Sequence, residues 1–122
     1  MKALLDTNIL VDYLNGIAAA KEEIGRYERP LISMITWMEV LVGARPGEEA
    51  SLRAFLRGFD CVAIDAPVAE AAVLLRRARR LKLPDAIILA SAQAAGALLV
   101  TRNTKDFPPD EPGVRLPYRL AD

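Results

Sequence analysis

The stretch LLDTNILVDYL, residues 4–14, joins a short apolar run to a segment whose apolar residues recur at helical spacing. This pattern predicts a buried strand over residues 2–5 that leads directly into a helix over residues 7–15. Along the rest of the chain, short apolar runs again alternate with helical segments, which is typical of a parallel sheet covered by helices on both faces. We therefore expect an α/β three-layer sandwich with a central parallel sheet of four to five strands, formed by residues 1–122 as one domain.

The other elements are predicted from hydrophobic periodicity and from the Pro and Gly residues that interrupt it. The Ala- and Arg-rich segment in the second half of the chain reads as the longest helix. Helices are expected at residues 18–27, 34–43, 48–57 and 67–81 and from Pro84 to Gly96, with strands at 59–64, 97–101 and 114–116 and a strand or helix entry at 31–33.

The polar triplet Asp6-Thr7-Asn8 follows the first predicted strand. Asp or Thr commonly caps a helix N-terminus, so Asp6 or Thr7 would serve as the cap of the first helix. Three side chains of capping type are more than one helix start needs. This surplus favours a ligand role for Asp6, with Asn8 holding the turn or the Asp6 carboxylate.

Four acidic residues, Asp6, Glu39, Asp85 and Asp106, occur at the ends of apolar elements or inside one. A carboxylate in apolar surroundings is costly unless it is paired or binds a metal. The carboxyl ends of parallel strands meet at one edge of the sheet, where such folds bind ligands. The four carboxylates are therefore candidates for a shared divalent-cation site with catalytic function.

Glu39 lies in a segment with apolar residues on nearly every side, which predicts a buried helix. The alternative to a metal ligand is a buried ion pair with an arginine, and Thr36 is the candidate that supports the Glu39 carboxylate. Asp85 follows Pro84, where an acid could simply complement the helix dipole. The strand-end acids make the ligand role the preferred interpretation of Asp85.

The fourth position stays open between Asn103 and Asp106, because an amide oxygen also binds hard cations. Thr101 is a candidate to hold a water molecule or a neighbouring carboxylate. The remaining acids are interpreted as ordinary caps or surface charges, and the lone cysteine as a small core side chain. Those assigned to solvated helix faces are Asp12, Glu22, Glu23, Glu28, Glu48 and Glu49, with Cys61 assigned to the core.

Five cations stand within seven positions just before Pro84. They are interpreted equally well as a solvated helix end that complements the helix dipole and as a phosphate-binding surface for RNA. The residues concerned are Arg76, Arg77, Arg79, Arg80 and Lys82.

Composition excludes several classes of protein. The chain has no histidine, which excludes Ser-His-Asp and Cys-His catalysis and His-based zinc sites. The 16 basic and 16 acidic residues balance, so a globally basic nucleic-acid binder is not indicated. One cysteine forms no internal disulfide, and no apolar run reaches the length of a bilayer span. A soluble cytoplasmic protein without membrane contact is expected.

Three stretches resemble the PIN-domain family and, within it, the VapC-type toxins of bacterial toxin–antitoxin pairs. They are LLDTNILVDYL at residues 4–14, SMITWMEVLVGA at 33–44 and LPDAIILASAQAAGALLVTRNTKDF at 83–107. No single motif decides the matter, but the three in this order, in a chain this short, are specific. The resemblance extends from Met1 to about Phe107.

The resemblance implies a Rossmann-like PIN sandwich, Mg²⁺ or Mn²⁺ held by an acidic cluster, and endoribonuclease activity. By matching motif positions, Asp6, Glu39 and Asp85 carry over as the acidic core. Many family members have an acid where Asn103 stands here and a further acid near Asp106. The family usually forms homodimers and is inhibited by a cognate antitoxin whose C-terminal segment covers the active site.

The resulting hypothesis is a toxin that cleaves RNA phosphodiester bonds with a metal-activated water. The alternatives are a PIN nuclease that acts in RNA processing or on DNA, and a catalytically inactive PIN module that binds RNA or protein. Phosphatase chemistry with Asp6 as phosphoryl acceptor is disfavoured, because Asn8 stands where a second Asp would be needed.

Overall fold

The computed structural model describes residues 1–120, so the last two residues of the predicted 1–122 domain lie outside this part. Strands and helices alternate along it as the sequence predicts. In chain order the elements are β1 (Ala3–Leu5), α1 (Thr7–Leu14), α2 (Ala18–Gly25), β2 (Leu31–Ser33), α3 (Met34–Val42), α4 (Glu49–Leu56), β3 (Asp60–Val62), α5 (Ala66–Arg79), α6 (Leu83–Ala94), β4 (Leu98–Val100) and β5 (Val114–Arg115).

The five strands form one sheet in the order β3-β2-β1-β4-β5, and every neighbouring pair is parallel. β1 is central, with β2 on one side and β4 on the other. The chain builds outward from β1 through β2 and β3 and then returns to the opposite side of β1 with β4. Strand order therefore reverses beside the carboxyl end of β1, and at such a reversal doubly wound sheets have the crevice in which they bind ligands.

Successive side chains of each strand point to opposite faces, so the sheet lies between two apolar cores. Leu4 and Leu99 pack with residues of α5 and α6 on one face. Leu5 and Val100 pack with residues of α1, α3 and α4 on the other. Burial of one whole Leu or Val side chain stabilises the fold by on the order of 1.5–3 kcal/mol. The predicted three-layer α/β sandwich is therefore confirmed.

Two helix starts position the acids of interest. Asp6 is the N-cap of α1, and its Oδ1 accepts a hydrogen bond from the Thr7 amide at 2.7 Å. Pro84 occupies the first turn of α6, where its missing N–H is not needed, and it places Asp85 in that same turn. The residues that begin α1 and α6 therefore determine the direction in which the Asp6 and Asp85 side chains project from the backbone.

Two acids expected on solvated helix faces are buried instead. Asp12 is 5% exposed and Glu23 is 4% exposed. Each is paired with an arginine about 90 positions away, Arg102 for Asp12 and Arg115 for Glu23. The prediction was wrong because such pairs are tertiary contacts that leave no local signal in the sequence.

The expectation that α3 is buried on all sides was also wrong. Glu39 is exposed, and its neighbours Met38 and Val42 are 38% and 86% exposed. Only Thr36 and Val40 of this helix are fully buried. The apolar character of α3 therefore reflects an uncovered apolar surface, which periodicity cannot distinguish from a core helix.

Cys61, predicted as a core residue, is exposed on β3, the strand at one edge of the sheet. An edge strand has a neighbour on only one side, and a three-residue strand gives no sequence signal of its place in the sheet. Among residues 1–120, every helix is too short or too polar to traverse a lipid bilayer.

Candidate active site

Asp6 is the most buried of the four candidate acids, with 4% of its surface exposed. Its Oδ1 accepts from the Thr7 amide, and its Oδ2 accepts from the Thr101 hydroxyl at 2.7 Å and from Asn8 Nδ2 at 3.3 Å. Thr101 follows β4, so this contact joins the carboxyl ends of the two strands that flank the crevice. The predicted support of Asp6 by Asn8 and Thr101 is present in these hydrogen bonds.

The pKa of Asp6 is raised from its ordinary value of 3.8 to about 6. Burial is the largest cause, and the nearby negative charges of Asp85 and Glu39 raise the pKa further. The hydrogen bonds from Thr101 and the Thr7 amide oppose this effect. A cation placed beside this buried carboxylate would stabilise its charged form.

Glu39 extends from α3 toward the start of α1. Its Oε1 accepts from the Thr7 hydroxyl at 2.7 Å, and that hydroxyl also lies 2.9 Å from the hydroxyl of buried Thr36. Thr36 therefore supports Glu39 through Thr7 rather than directly. Within residues 1–120, no basic side chain pairs with Glu39, so the buried ion pair considered as an alternative is absent.

Asp85 is half-buried in the first turn of α6. Burial raises its pKa most, and the charges of Asp106 and Glu39 raise it further, whereas Lys82 lowers it. The effect of Glu39 on the pKa of both Asp6 and Asp85, and of Asp106 on that of Asp85, indicates that these acids lie close enough for their charges to interact.

Asn103 and Asp106 are bonded to each other. Asn103 Nδ2 donates to Asp106 Oδ2 at 2.9 Å, and Asn103 Oδ1 accepts from the Asp106 amide at 3.2 Å. The Asn103 amide also donates to the Thr101 hydroxyl at 3.0 Å. Both polar atoms of the Asn103 side chain are thus occupied in holding the loop that carries Asp106.

A divalent cation requires oxygen ligands, and the crevice offers carboxylates and no histidine or thiolate. In residues 1–120 no three His, Cys, Asp or Glu side chains stand close enough to enclose an ion as they are. Carboxylates without a cation repel one another, and this repulsion adds to burial in raising the pKa of Asp6 and Asp85. The donor set therefore fits a hard cation by its chemistry, and the side chains would have to draw together around it.

The predicted basic cluster is divided by the structure. Arg79 donates to both oxygens of Glu111 at 2.9 and 2.6 Å, and Arg76 donates to the Leu81 carbonyl at 3.0 Å. These two arginines end α5 and hold the following loops. Lys82 is exposed at the N-cap of α6, beside Asp85. Lys82 is therefore the residue of the basic cluster whose charge acts on the candidate site, since it lowers the pKa of Asp85.

A cleft of about 430 Å³ begins at Glu39 and continues between α1, α3 and α4. Its lining includes Val11, Leu14 and Leu52, and the first two are exposed hydrophobic side chains. Arg45 and Glu48 supply charge at its far side. This cleft combines exposed apolar side chains with charged ones, so it offers a surface on which a partner could cover the site.

Sequence reasoning missed two contributors to the crevice. Thr7 joins Asp6, Glu39 and Thr36, although only its capping ability was considered. Arg102 was assigned no role, yet its amide donates to Asn8 Oδ1 and its side chain binds Asp12. The sequence signal for Thr7 was the surplus of capping residues, whereas Arg102 gave none.

Three comparisons relate the chain to known proteins. The family model of the PIN domain matches residues 3–108. Ribonuclease VapC19 of Mycobacterium tuberculosis is 32% identical, over 86% of this chain and 91% of its own. The tRNA(fMet)-specific endonuclease VapC of Shigella flexneri is 29% identical, over 88% of this chain and 90% of its own. In a solved toxin–antitoxin complex from Klebsiella pneumoniae, one chain is 47% identical with a TM-score of 0.92, covering 98% of this chain and 100% of that one.

Proposed function

Since this chain belongs to the PIN-domain family, we propose that it is a metal-dependent endoribonuclease, the toxin of a toxin–antitoxin pair. The observation that carries the proposal is the Asp6 carboxylate at the reversal of strand order, whose pKa is raised by burial and, to a smaller extent, by the negative charges of Asp85 and Glu39. The relatives named as a ribonuclease and as an endonuclease support the same activity. We assign the whole of residues 1–122 to one PIN domain.

We propose that Asp6, Glu39, Asp85 and Asp106 hold the cation, with Mg²⁺ or Mn²⁺ as the ion. Asn103 orients Asp106, because its amide group is already bonded to that residue. When bound, a divalent cation makes water a nucleophile at neutral pH and neutralises charge on the phosphate that is cleaved. The Thr7 amide and the Thr101 hydroxyl each hold one Asp6 oxygen, so the carboxylate presents a fixed orientation.

The basic residues would act on the RNA backbone. Lys82 lies beside Asp85 at the start of α6, so it can contact a phosphate next to the scissile one. Arg77 and Arg80 are exposed and can contribute more distant contacts. Arg79 is held by Glu111 and has a structural role in this scheme, as has Arg76.

We propose that the cognate antitoxin covers the cleft beside Glu39. The apolar side chains of Val11 and Leu14 are exposed in the cleft, and a bound segment would remove them from water. Met38 and Val42 are also exposed on α3, the helix that carries Glu39. The structural likeness to a chain of a toxin–antitoxin complex supports such a partner. We also propose that the protein forms a homodimer. It would act in the cytoplasm, where its RNA substrate is found.

The test is cleavage of end-labelled RNA by the purified protein with Mg²⁺ or Mn²⁺, with EDTA, and after EDTA followed by excess metal. The proposal predicts internal cleavage only when metal is present. The Asp6→Asn variant purified in parallel controls for contaminating nucleases and should be inactive. Cleavage that persists in EDTA, or in Asp6→Asn, would contradict the proposal.

Expression in bacteria separates a toxin from a processing nuclease or an inactive binding module. A toxin arrests growth, and coexpression of the neighbouring small open reading frame relieves the arrest. An inactive module would bind Mn²⁺ weakly and would not cleave. Sequencing of RNA ends after brief induction then identifies the substrate.

A further inference from the structure

Asp12 is a buried acid that the proposed cation site does not use. Arg102 Nε and one of its terminal nitrogens donate to the two Asp12 oxygens at 2.5 and 2.9 Å. The Tyr118 hydroxyl adds a third donor at 2.8 Å. Asp12 is 5% exposed, so its charge depends on these partners. The three side chains connect helix α1, the loop after β4 and the C-terminal segment.

The backbone of Arg102 lies between two residues that hold candidate cation ligands. Thr101, immediately before it, donates to Asp6, and Asn103, immediately after it, donates to Asp106. The Arg102 amide itself donates to Asn8 Oδ1 at 3.3 Å. A displacement of Arg102 would therefore move supports of Asp6 and Asp106 together.

We infer that Asp12 is a positioning residue for the cation site: through Arg102 it fixes the loop 101–106, so that Asp6 and Asp106 are oriented toward the ion. This inference rests on the proposed function. The side-chain partners of Asp12 are Arg102 and Tyr118 rather than the candidate ligands, so its effect is indirect. Groups that orient metal ligands in this way typically change metal affinity or activity about 10–100-fold when they are lost.

The chain contains a matched control for this role. Glu23 is a second buried acid that accepts from both Arg115 side-chain donors, at 2.9 and 3.0 Å, and from a tyrosine hydroxyl, that of Tyr27. The Arg115 side chain joins α2 to the edge strand β5. Arg115 meets the loop after β4 only through its backbone carbonyl, which accepts from the Thr101 amide at 3.0 Å, and its side chain bonds to no candidate ligand. Loss of either carboxylate charge leaves a partly exposed arginine without its ion pair, so the two variants should lose comparable stability.

The experiment is calorimetric titration of Mn²⁺ alone into the wild-type protein, Asp12→Asn and Glu23→Gln, with thermal unfolding measured beside it. We expect the Mn²⁺ dissociation constant to rise about 10–100-fold in Asp12→Asn. Glu23→Gln should keep the wild-type constant although its melting temperature falls. An unchanged constant in Asp12→Asn, or equal losses in both variants, would overturn the inference.

A milder pair covers the case in which Asp12→Asn does not fold. Tyr118→Phe removes one hydrogen bond to Asp12, and Tyr27→Phe removes the equivalent bond to Glu23. Tyr118→Phe should weaken Mn²⁺ binding severalfold and Tyr27→Phe should not, whereas equal behaviour would refute the positioning role. A wild-type protein that neither binds Mn²⁺ nor cleaves RNA would instead refute the proposed function, and this inference with it.

Discussion

Replacement of Asp6 by Asn should abolish RNA cleavage and yet stabilise the metal-free protein at neutral pH. The folded-state pKa of Asp6 is raised from 3.8 to about 6, chiefly because the carboxyl group is buried. At about 1.4 kcal/mol per pKa unit, the charged carboxylate lowers the free energy of unfolding by about 3 kcal/mol. This decrease in the free energy of unfolding is absent when the pH is below the pKa of Asp6 in the unfolded chain. It is complete once the pH exceeds the pKa of Asp6 in the folded protein.

In the Asp6→Asn variant, the weakening of one hydrogen bond offsets part of the stability that is gained. The bond from Thr101 to the Asp6 carboxylate, 2.7 Å long, becomes a weaker bond to a neutral amide, at a cost of about 1 kcal/mol. A net stabilisation of about 2 kcal/mol remains, which corresponds to a rise of roughly 6–10 °C in melting temperature for a domain of this size. The rise should diminish as the pH falls below the folded-state pKa of Asp6, because the wild-type protein then regains a neutral side chain.

The assay is thermal unfolding of wild type and Asp6→Asn in EDTA, at neutral pH and at a pH near the ordinary value for Asp. Glu22→Gln, which removes an exposed carboxylate from α2, is the matched control. It should leave the melting temperature unchanged at both pH values. Added Mn²⁺ should stabilise the wild type and leave Asp6→Asn almost unaffected. A lower melting temperature for Asp6→Asn than for wild type in EDTA at neutral pH, or the same pH dependence in both proteins, would refute this prediction.

Three further predictions concern individual side chains of the crevice. Glu39→Gln should lower the initial rate of RNA cleavage by at least about 100-fold at saturating Mn²⁺, because an oxygen that balances the cation charge is lost; a rate within a factor of a few of wild type would contradict its assignment. Asp106→Asn should raise the Mn²⁺ dissociation constant more than Asn103→Ala does in calorimetry, because Asn103 acts by holding Asp106, and the reverse order would make Asn103 the ligand. Lys82→Ala, in an inactive Asp6→Asn background, should reduce the slope of log affinity for single-stranded RNA against log salt by about 0.7, and an unchanged slope would remove Lys82 from the RNA contact surface.

Most of the fold could be predicted from the sequence because its signals are local. The first strand and helix were expected at residues 2–5 and 7–15, and they occur at Ala3–Leu5 and Thr7–Leu14. Apolar runs of strand length, capping residues and the Pro and Gly breaks determine such boundaries. The rule that parallel strands share one edge for their carboxyl ends is the basis on which Asp6, Glu39, Asp85 and Asp106 are predicted to form one site.

The parts that could not be predicted are those that depend on distant residues. Asp12 and Glu23 have the spacing of surface residues, but arginines from the loop after β4 and from β5 make their burial possible. Glu39 was expected in a core because Met38 and Val42 are apolar, although both lie at an uncovered surface. Periodicity records that a face is apolar and does not record what covers it.

The proposed function depends on one divalent cation that Asp6, Glu39, Asp85 and Asp106 are proposed to share at the carboxyl edge of the sheet. Diffraction from crystals soaked with Mn²⁺, recorded where manganese scatters anomalously, tests it most directly. We predict an anomalous peak in this crevice, with carboxylate oxygens of Asp6 and Asp85 at coordinating distances of roughly 2.0–2.3 Å. A crevice without a peak in crystals soaked at saturating Mn²⁺, or a peak bound only by acids elsewhere on the surface, would contradict the account.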